Sequence, residues 1–208
     1  GRGSTSSTPL ATPTIIESDL TGRRIVSIAA CTYHALAADE DGNVYTWGTN
    51  SAMDTYNNQP TNGWLGFPPA SLPYSYLPVL VQPTTMANVT KVACGRYFSA
   101  ALTSSHEIFA WGGGWNGQLG RGTYGPTFSA PFPVQSVFNT DGSVAEWVDM
   151  VAGENHMVAL DNYGRVFAWG DNRAGQIGID NPSVHRMPVP HLAFTDIDLN
   201  GEYATSIA

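Results

Sequence analysis

Ile108-Phe109-Ala110-Trp111-Gly112, followed by Gly117-Gln118-Leu119-Gly120, decides the fold because it occurs three times. Val166-Phe167-Ala168-Trp169-Gly170 leads to Gly175-Gln176-Ile177-Gly178. Val44-Tyr45-Thr46-Trp47-Gly48 leads, after a longer interval, to Gly63-Trp64-Leu65-Gly66. The match extends backwards. Thirteen residues before each tryptophan stand His34, Phe98 and His156, sixteen before it Cys31, Gly95 and Gly153, and five before it Gly42, His106 and Gly164. Fixed offsets at a period of this size mean a repeat architecture, in which each unit buries its faces against its neighbours.

The third unit carries the fullest version: Val151-Ala152-Gly153 with His156, Ala159-Leu160, Gly164, Val166 to Gly170, Asn172, Gly175 to Gly178, and Pro188-Val189. This pattern resembles the regulator of chromosome condensation repeat over nearly everything after Pro13. The resemblance implies an all-β chain built of β-propeller blades, each a four-stranded antiparallel sheet. The family's propeller has seven blades. Here the resemblance implies an incomplete propeller, three blades plus part of a fourth, with units at about 14–80, 81–135, 136–191 and 192–208. In the partial unit, Gly201 aligns with Gly153 and Ala204 takes the place of His156, so the chain is expected to stop inside a strand.

Residues 1–13 are mostly Ser, Thr, Gly and Pro and read as a linker or tail whose hydroxyls are candidate glycan carriers. In the first unit, Ile25-Val26-Ser27-Ile28-Ala29-Ala30 is the expected innermost strand, and Asp41-Gly42 signals a hairpin turn. The first unit also holds an insertion within 51–62, polar with a tyrosine in it. A loop longer than its siblings is where repeat scaffolds carry function. Ser51, Asp54, Tyr56 and Asn62 are therefore candidate contact residues. The run 67–76, with Pro68, Pro69, Pro73, Tyr74 and Tyr76, is expected to wrap the outside of the blade, with Pro78-Val79 returning towards the axis. The second unit's turn, Ser104-Ser105-His106, lacks the glycine, and Gly112-Gly113-Gly114 reads as turn chemistry between strands.

The chain is 42% hydrophobic and 12% charged, with a net charge of −8. Lys91 is its sole lysine and Arg23-Arg24 its sole basic pair. A nucleic-acid surface needs clustered basic residues, so no nucleic-acid partner is expected. No apolar run approaches the roughly 18 residues that span a bilayer, so no membrane span is expected. The chain begins at Gly1, which is compatible with a removed signal peptide. Few lysines, many Ser, Thr and Pro residues, and the sequon Asn88-Val89-Thr90 lean towards an extracellular or cell-surface glycoprotein; a cytoplasmic protein with an unused sequon is the alternative.

Trp47, Trp111 and Trp169 read as repeat core, as do His34 and His156, because packing groups recur in every unit and catalytic groups seldom do. Cys31 and Cys94 lie at neighbouring registers of adjacent units. They read either as a disulfide or as two buried thiols, with the Cα separation a bridge requires as the obstacle. A zinc site from Cys31, His34 and Cys94 lacks the usual spacing and a fourth donor, so no metal is expected. No phosphate loop, dinucleotide fingerprint or nucleophile elbow is present, and no cofactor is expected. Asp196 and Asp198 read as turn or solvated carboxylates.

These readings converge on a non-enzymatic binding or assembly module whose partner is another protein or further copies of itself. One alternative is a structural subunit that dimerises or polymerises through open blade edges, since an unpaired strand edge invites pairing. The resemblance implies another, because the founding member of the family is a guanine-nucleotide exchange factor for the Ran GTPase, with histidines of the His34 and His156 position near that surface. Here Phe98 and Ala204 interrupt the series.

Overall fold

The computed structural model describes residues 12, 15–16, 18–54, 59–68, 70–81, 86–179, 181, 183–193 and 203–208. Tyr56, Asp196, Asp198 and all but one residue of the 1–13 tail lie outside the described residues.

Three four-stranded antiparallel sheets follow one another along the chain. Blade one contains β1 (Ile25–Ala30), β2 (His34–Asp39), β3 (Val44–Thr49) and β6 (Tyr74–Val81), in that order across the sheet. Between β3 and β6 a separate hairpin, β4 (Ser51–Asp54) and β5 (Gln59–Asn62), stands apart from the blade. Blade two is β7 (Val89–Cys94), β8 (Phe98–Thr103), β9 (Ile108–Gly114) and β10 (Gly125–Pro133). Blade three is β11 (Trp147–Ala152), β12 (His156–Asp161), β13 (Val166–Asp171) and β14 (Arg186–Leu192). The first strands lie together on the inner side, with β7 packed against both β1 and β11. Their small residues fit the narrow space there.

Burial follows from having neighbours on both faces. Every residue of β8 and β9 in the middle blade is buried. By contrast β1 alternates, and Val26 and Ile28 are 49% and 76% exposed. One apolar cluster, around Leu36, Val44, Val92, Phe109 and Trp111, fills the junction of blades one and two. Another, around Phe98, Leu119, Trp147, Met150 and Trp169, fills that of blades two and three.

Each junction is also pinned by hydrogen bonds at both ends of the strands. At one end the indole N–H of Trp111 donates to the Trp64 carbonyl at 2.9 Å. That of Trp169 donates to the Gln118 carbonyl at 3.0 Å. The acceptor belongs in each case to the Gly-x-Leu-Gly turn of the preceding blade. The last glycine of that turn lets the ring approach: a Cβ at Gly120 would stand 2.8 Å from the Trp169 indole nitrogen. At the other end the β2–β3 type turn of one blade accepts from the next, Val89 N–H to Gly42 O at 3.2 Å and Trp147 N–H to His106 O at 3.2 Å. Gly42 has φ 81 and His106 φ 63, so the histidine adopts the left-handed conformation its siblings give to glycine. Its Nδ1 lies 3.1 Å from the Trp147 carbonyl, which helps hold it there.

Four expectations change. Gly112-Gly113-Gly114 is not a turn but the end of β9, where Gly112 pairs with Phe98 and Phe128 and Gly114 with Gly125. Tyr74–Val81 is the outer strand of blade one rather than a return to the axis, and Pro78 is tolerated because that strand is an edge. The start of the fourth unit has a different register. Ala204 N–H donates to Gly164 O at 3.1 Å, the bond made by Val89 and Trp147 in their blades, so Ala204 stands at the Trp147 position and not at that of His156. Residues 203–208 form no strand. Finally, Trp111 and Trp169 are fully buried, but Trp47 is only half-buried, since it has no blade before it among the described residues.

The turn carboxylate Asp39 is 1% exposed. Burial pushes its pKa up, but hydrogen bonds from the Asn43 side chain and main chain and from Arg23 outweigh that, and the net shift is downward. Two predictions follow from this packing. Trp111→Ala should lower the unfolding free energy in urea by about 3–5 kcal/mol, and Trp47→Ala by clearly less; equal losses would refute the junction assignment. With a folded pKa below the unfolded one, Asp39 stabilises above the ordinary carboxylate range, and this is lost as pH falls through its folded pKa. Asp39→Asn should therefore flatten the acid limb of a stability-versus-pH curve, and an unchanged limb would count against it.

Candidate functional site

The site grows from the point where β3 leaves blade one. Asn50 is fully buried there and acts as a staple. Its Oδ1 accepts from the Leu65 N–H at 2.9 Å, and its Nδ2 donates to the carbonyls of Phe67 (3.0 Å) and Leu72 (2.6 Å). Asn172 does the same in blade three, towards Ile177 N–H and Val184 O. Asn50 thereby holds both ends of the insertion, and Ser51 pairs with Asn62 across the β4–β5 ladder.

The insertion is therefore an ordered hairpin rather than a loop. It leans on blade two, with β5 against β9 and β10. Beneath it lie Trp64, Leu65 and Tyr97, all fully buried. The Tyr97 hydroxyl donates to the Met53 carbonyl at 3.1 Å, and the Trp64 indole N–H donates to the Thr49 carbonyl. Tyr33 stacks on Tyr97 with centroids 5.7 Å apart and planes at 15°. Arg96 lies over the Tyr97 ring at 5.1 Å and pairs with Glu154 of blade three at 2.5 Å. One layer of rings and charges thus joins all three blades at this end.

Beside the hairpin a cleft opens between Tyr33, Ser51, Pro73, Tyr74 and Tyr76. Tyr74 and Tyr76 have centroids 5.0 Å apart and are 52% and 41% exposed. Met53, on the outside of β4, is 54% exposed. Of the sequence candidates, Ser51 stands at the cleft and Asn62 is half-buried opposite it. Asp54 ends β4, and Tyr56 lies outside the described residues. The tyrosines and Met53 were not among the candidates. The aromatic and proline run 67–76 was the signal for the tyrosines.

The remaining candidates take structural places. His34 is buried, with Nε2 2.8 Å from Ser99 Oγ, and burial pushes its pKa down to about 3 against the opposing effect of the Phe98 main chain. His156 is half-buried, and burial lowers its pKa against the pull of Asp171. Cys31 and Cys94 are joined as a disulfide, with Cα atoms 6.0 Å apart. The separation that stood as an obstacle is within range because β1 and β7 are neighbours on the inner side. Asn88 is exposed, with φ 54, beside the Gly42 turn. Among the described residues no helix is long and apolar enough to cross a membrane.

Repeated blades, indole bonds across each junction and an open sheet at either end define a segment of a β-propeller. The regulator of chromosome condensation (RCC1) repeat model matches residues 25–52, 89–118 and 147–176, and a second model of the same repeat matches 105–160. The chain belongs to this family. It is 32% identical over 184 residues to the X-linked retinitis pigmentosa GTPase regulator homolog of Caenorhabditis elegans, covering 75% of this chain and 13% of that one. Human WBSCR16 superposes with a TM-score of 0.73 at 22% identity, over 88% of this chain and 43% of its own. Yeast RCC1 (Prp20), solved bound to Kap60, superposes with a TM-score of 0.63 at 22% identity, over 86% and 38%. The chain thus spans a small part of its sequence relative and under half of either solved propeller.

The disulfide closes a separation of 63 residues. Reducing it should lower stability by about 4 kcal/mol in the chain-entropy account, read as a lower urea midpoint. An unchanged midpoint would show that the bridge adds nothing.

Proposed function

We propose that the chain is a non-enzymatic protein-binding module that recognises its partner with the hairpin face of blade one. The observation that carries this is the cleft walled by exposed Tyr74 and Tyr76 beside the rigidly seated hairpin. Tyrosines bring large contact area at low conformational cost, and aromatic anchors dominate the energy of protein interfaces. The hairpin is seated on two blades, so the face is pre-organised and little ordering is needed on binding. Yeast RCC1 (Prp20), whose propeller superposes on this chain, is itself a protein with a protein partner, Kap60. The Cys31–Cys94 bridge and the exposed Asn88 support an oxidising, extracellular setting, with a glycan on Asn88.

Self-association is a second reading. Its support is blade one, where Val26 and Ile28 are exposed on β1 and Trp47 is half-buried. Molar mass measured over a range of concentrations separates the two, because edge pairing gives a concentration-dependent increase.

The test of the first reading is affinity capture with the chain and with Tyr74→Ala/Tyr76→Ala. Tyr163→Ala, an exposed tyrosine on blade three, is the control. The double variant should keep its melting curve and lose partner affinity by roughly 30-fold or more, while Tyr163→Ala binds normally. Undiminished capture by the double variant would sink the proposal.

A further inference from the structure

The trio set aside in the sequence for want of spacing is brought together by the fold. Donor atoms of Cys31, His34 and Cys94 all lie within 4.8 Å of one another. We propose that, when the Cys31–Cys94 bridge is reduced, these three residues form a binding site for a thiophilic, four-coordinate dication of the zinc class, with water in the fourth position.

Hydrogen bonding fixes which nitrogen of His34 is available. The Ser99 hydroxyl has one hydrogen and gives it to the Trp64 carbonyl at 2.7 Å, since a carbonyl only accepts. The 2.8 Å contact from His34 Nε2 to Ser99 Oγ must then be donated by the imidazole. The ring is the Nε2–H tautomer, and Nδ1 carries a lone pair. That Nδ1 is buried without a hydrogen-bond partner, on a residue 4% exposed. An orphaned buried acceptor requires an explanation. A ligating histidine orients itself in this way, with its other ring N–H tied to an acceptor behind it.

The sibling blades show why the sulfur is beside it. A Cβ on Gly95 would stand 2.0 Å from Phe98 Cε1, and one on Gly153 2.0 Å from His156 Cε1. In both, the ring of the fourth residue lies on the first. Blade one places Cys31 at that first position, so its side chain takes the space that the ring fills in the siblings, and the imidazole lies beside the sulfur with its donor atom within 4.8 Å. Cys94 arrives from the neighbouring inner strand. Both cysteines are half-exposed, which lets a reductant and a metal-bound water reach them. Tetrahedral zinc, with Zn–S about 2.3 Å and Zn–N about 2.0–2.1 Å, spaces its donors roughly 3.5–3.8 Å apart. Opening the S–S bond moves the sulfurs towards that spacing.

The steps balance. A dithiol reductant supplies two electrons and two protons, leaving two cysteine thiols and its own cyclic disulfide. The dication then displaces both thiol protons to solvent, and two thiolates with a neutral imidazole give an uncharged site. Oxidised, the junction is held by a covalent bond; reduced, by a metal.

The test uses the whole chain, reduced by a dithiol and freed of it without oxygen, with Co²⁺ as a spectroscopic probe and Zn²⁺ competing against a chromophoric chelator. One equivalent of Co²⁺ should bind with sulfur-to-metal charge-transfer and tetrahedral bands, which Zn²⁺ abolishes. The oxidised chain and Cys94→Ser should show neither. His34→Ala should weaken Zn²⁺ binding at least tenfold, and Ser99→Ala, which frees the ring behind the ligand, by about 10–100-fold. If the reduced chain loses its near-ultraviolet dichroism, one equivalent of Zn²⁺ should restore it. Binding without sulfur bands, equal binding by the oxidised chain, wild-type affinity in His34→Ala, or no restoration by Zn²⁺ would each overturn the proposal.

Discussion

The structure depends on an indole N–H reaching across a blade junction to a main-chain carbonyl. Trp111 and Trp169 are fully buried, and leaving such a donor unpaired costs on the order of 1–3 kcal/mol. The acceptor sits in a tight turn, so the turn must be held still. Asn50 does this for the turn that accepts from Trp111, spanning it with its amide, and Asn172 spans the equivalent turn of blade three. The turn's last glycine leaves room for the ring. The Trp-Gly and Gly-x-Leu-Gly motifs are thus two halves of one contact, and each half lies in a different blade.

The other end of each junction is set by the turn between the second and third strands. Its carbonyl receives the first strand of the following blade at Gly42 and His106, and Ala204 N–H takes the equivalent place at Gly164. Buried Asp39 and Asp161 brace two of these turns with main-chain bonds and arginine partners. A blade fixed at both ends has little freedom to tilt, so the aromatic layer at the hairpin face is presented rigidly.

The blades were legible in the sequence because fixed offsets recur in three units, and three agreeing copies outweigh any local ambiguity. What lay between the offsets was harder. Residues 51–62 are polar and carry Pro60, and nothing local marks them as strands; the hairpin exists because β5 finds blade two to rest on. The glycines 112–114 looked like a turn because glycine usually marks one, yet here they end a strand that lies close under Tyr97 and Leu119. Gly201 drew the fourth unit into the wrong register because one glycine resembles another, and only the bond from Ala204 identifies the position. Tyr74 and Tyr76 were visible as residues, but their pairing beside the cleft depends on the fourth strand of blade one, which the prolines disguised. The approach of Cys31 to Cys94 follows from two inner strands meeting, and sequence spacing does not encode that.

The Cys31–Cys94 link also changes how cooperativity is shared out. In an array of blades each unit feels only its neighbours, and fraying proceeds from an end inwards, one unit at a time. A covalent tie between the inner strands of blades one and two removes one of those steps. The two blades then open as a single foldon, while blade three keeps the ordinary non-covalent interface. The two junctions are thereby unequal: the bridged one between blades one and two resists opening more than the unbridged one between blades two and three.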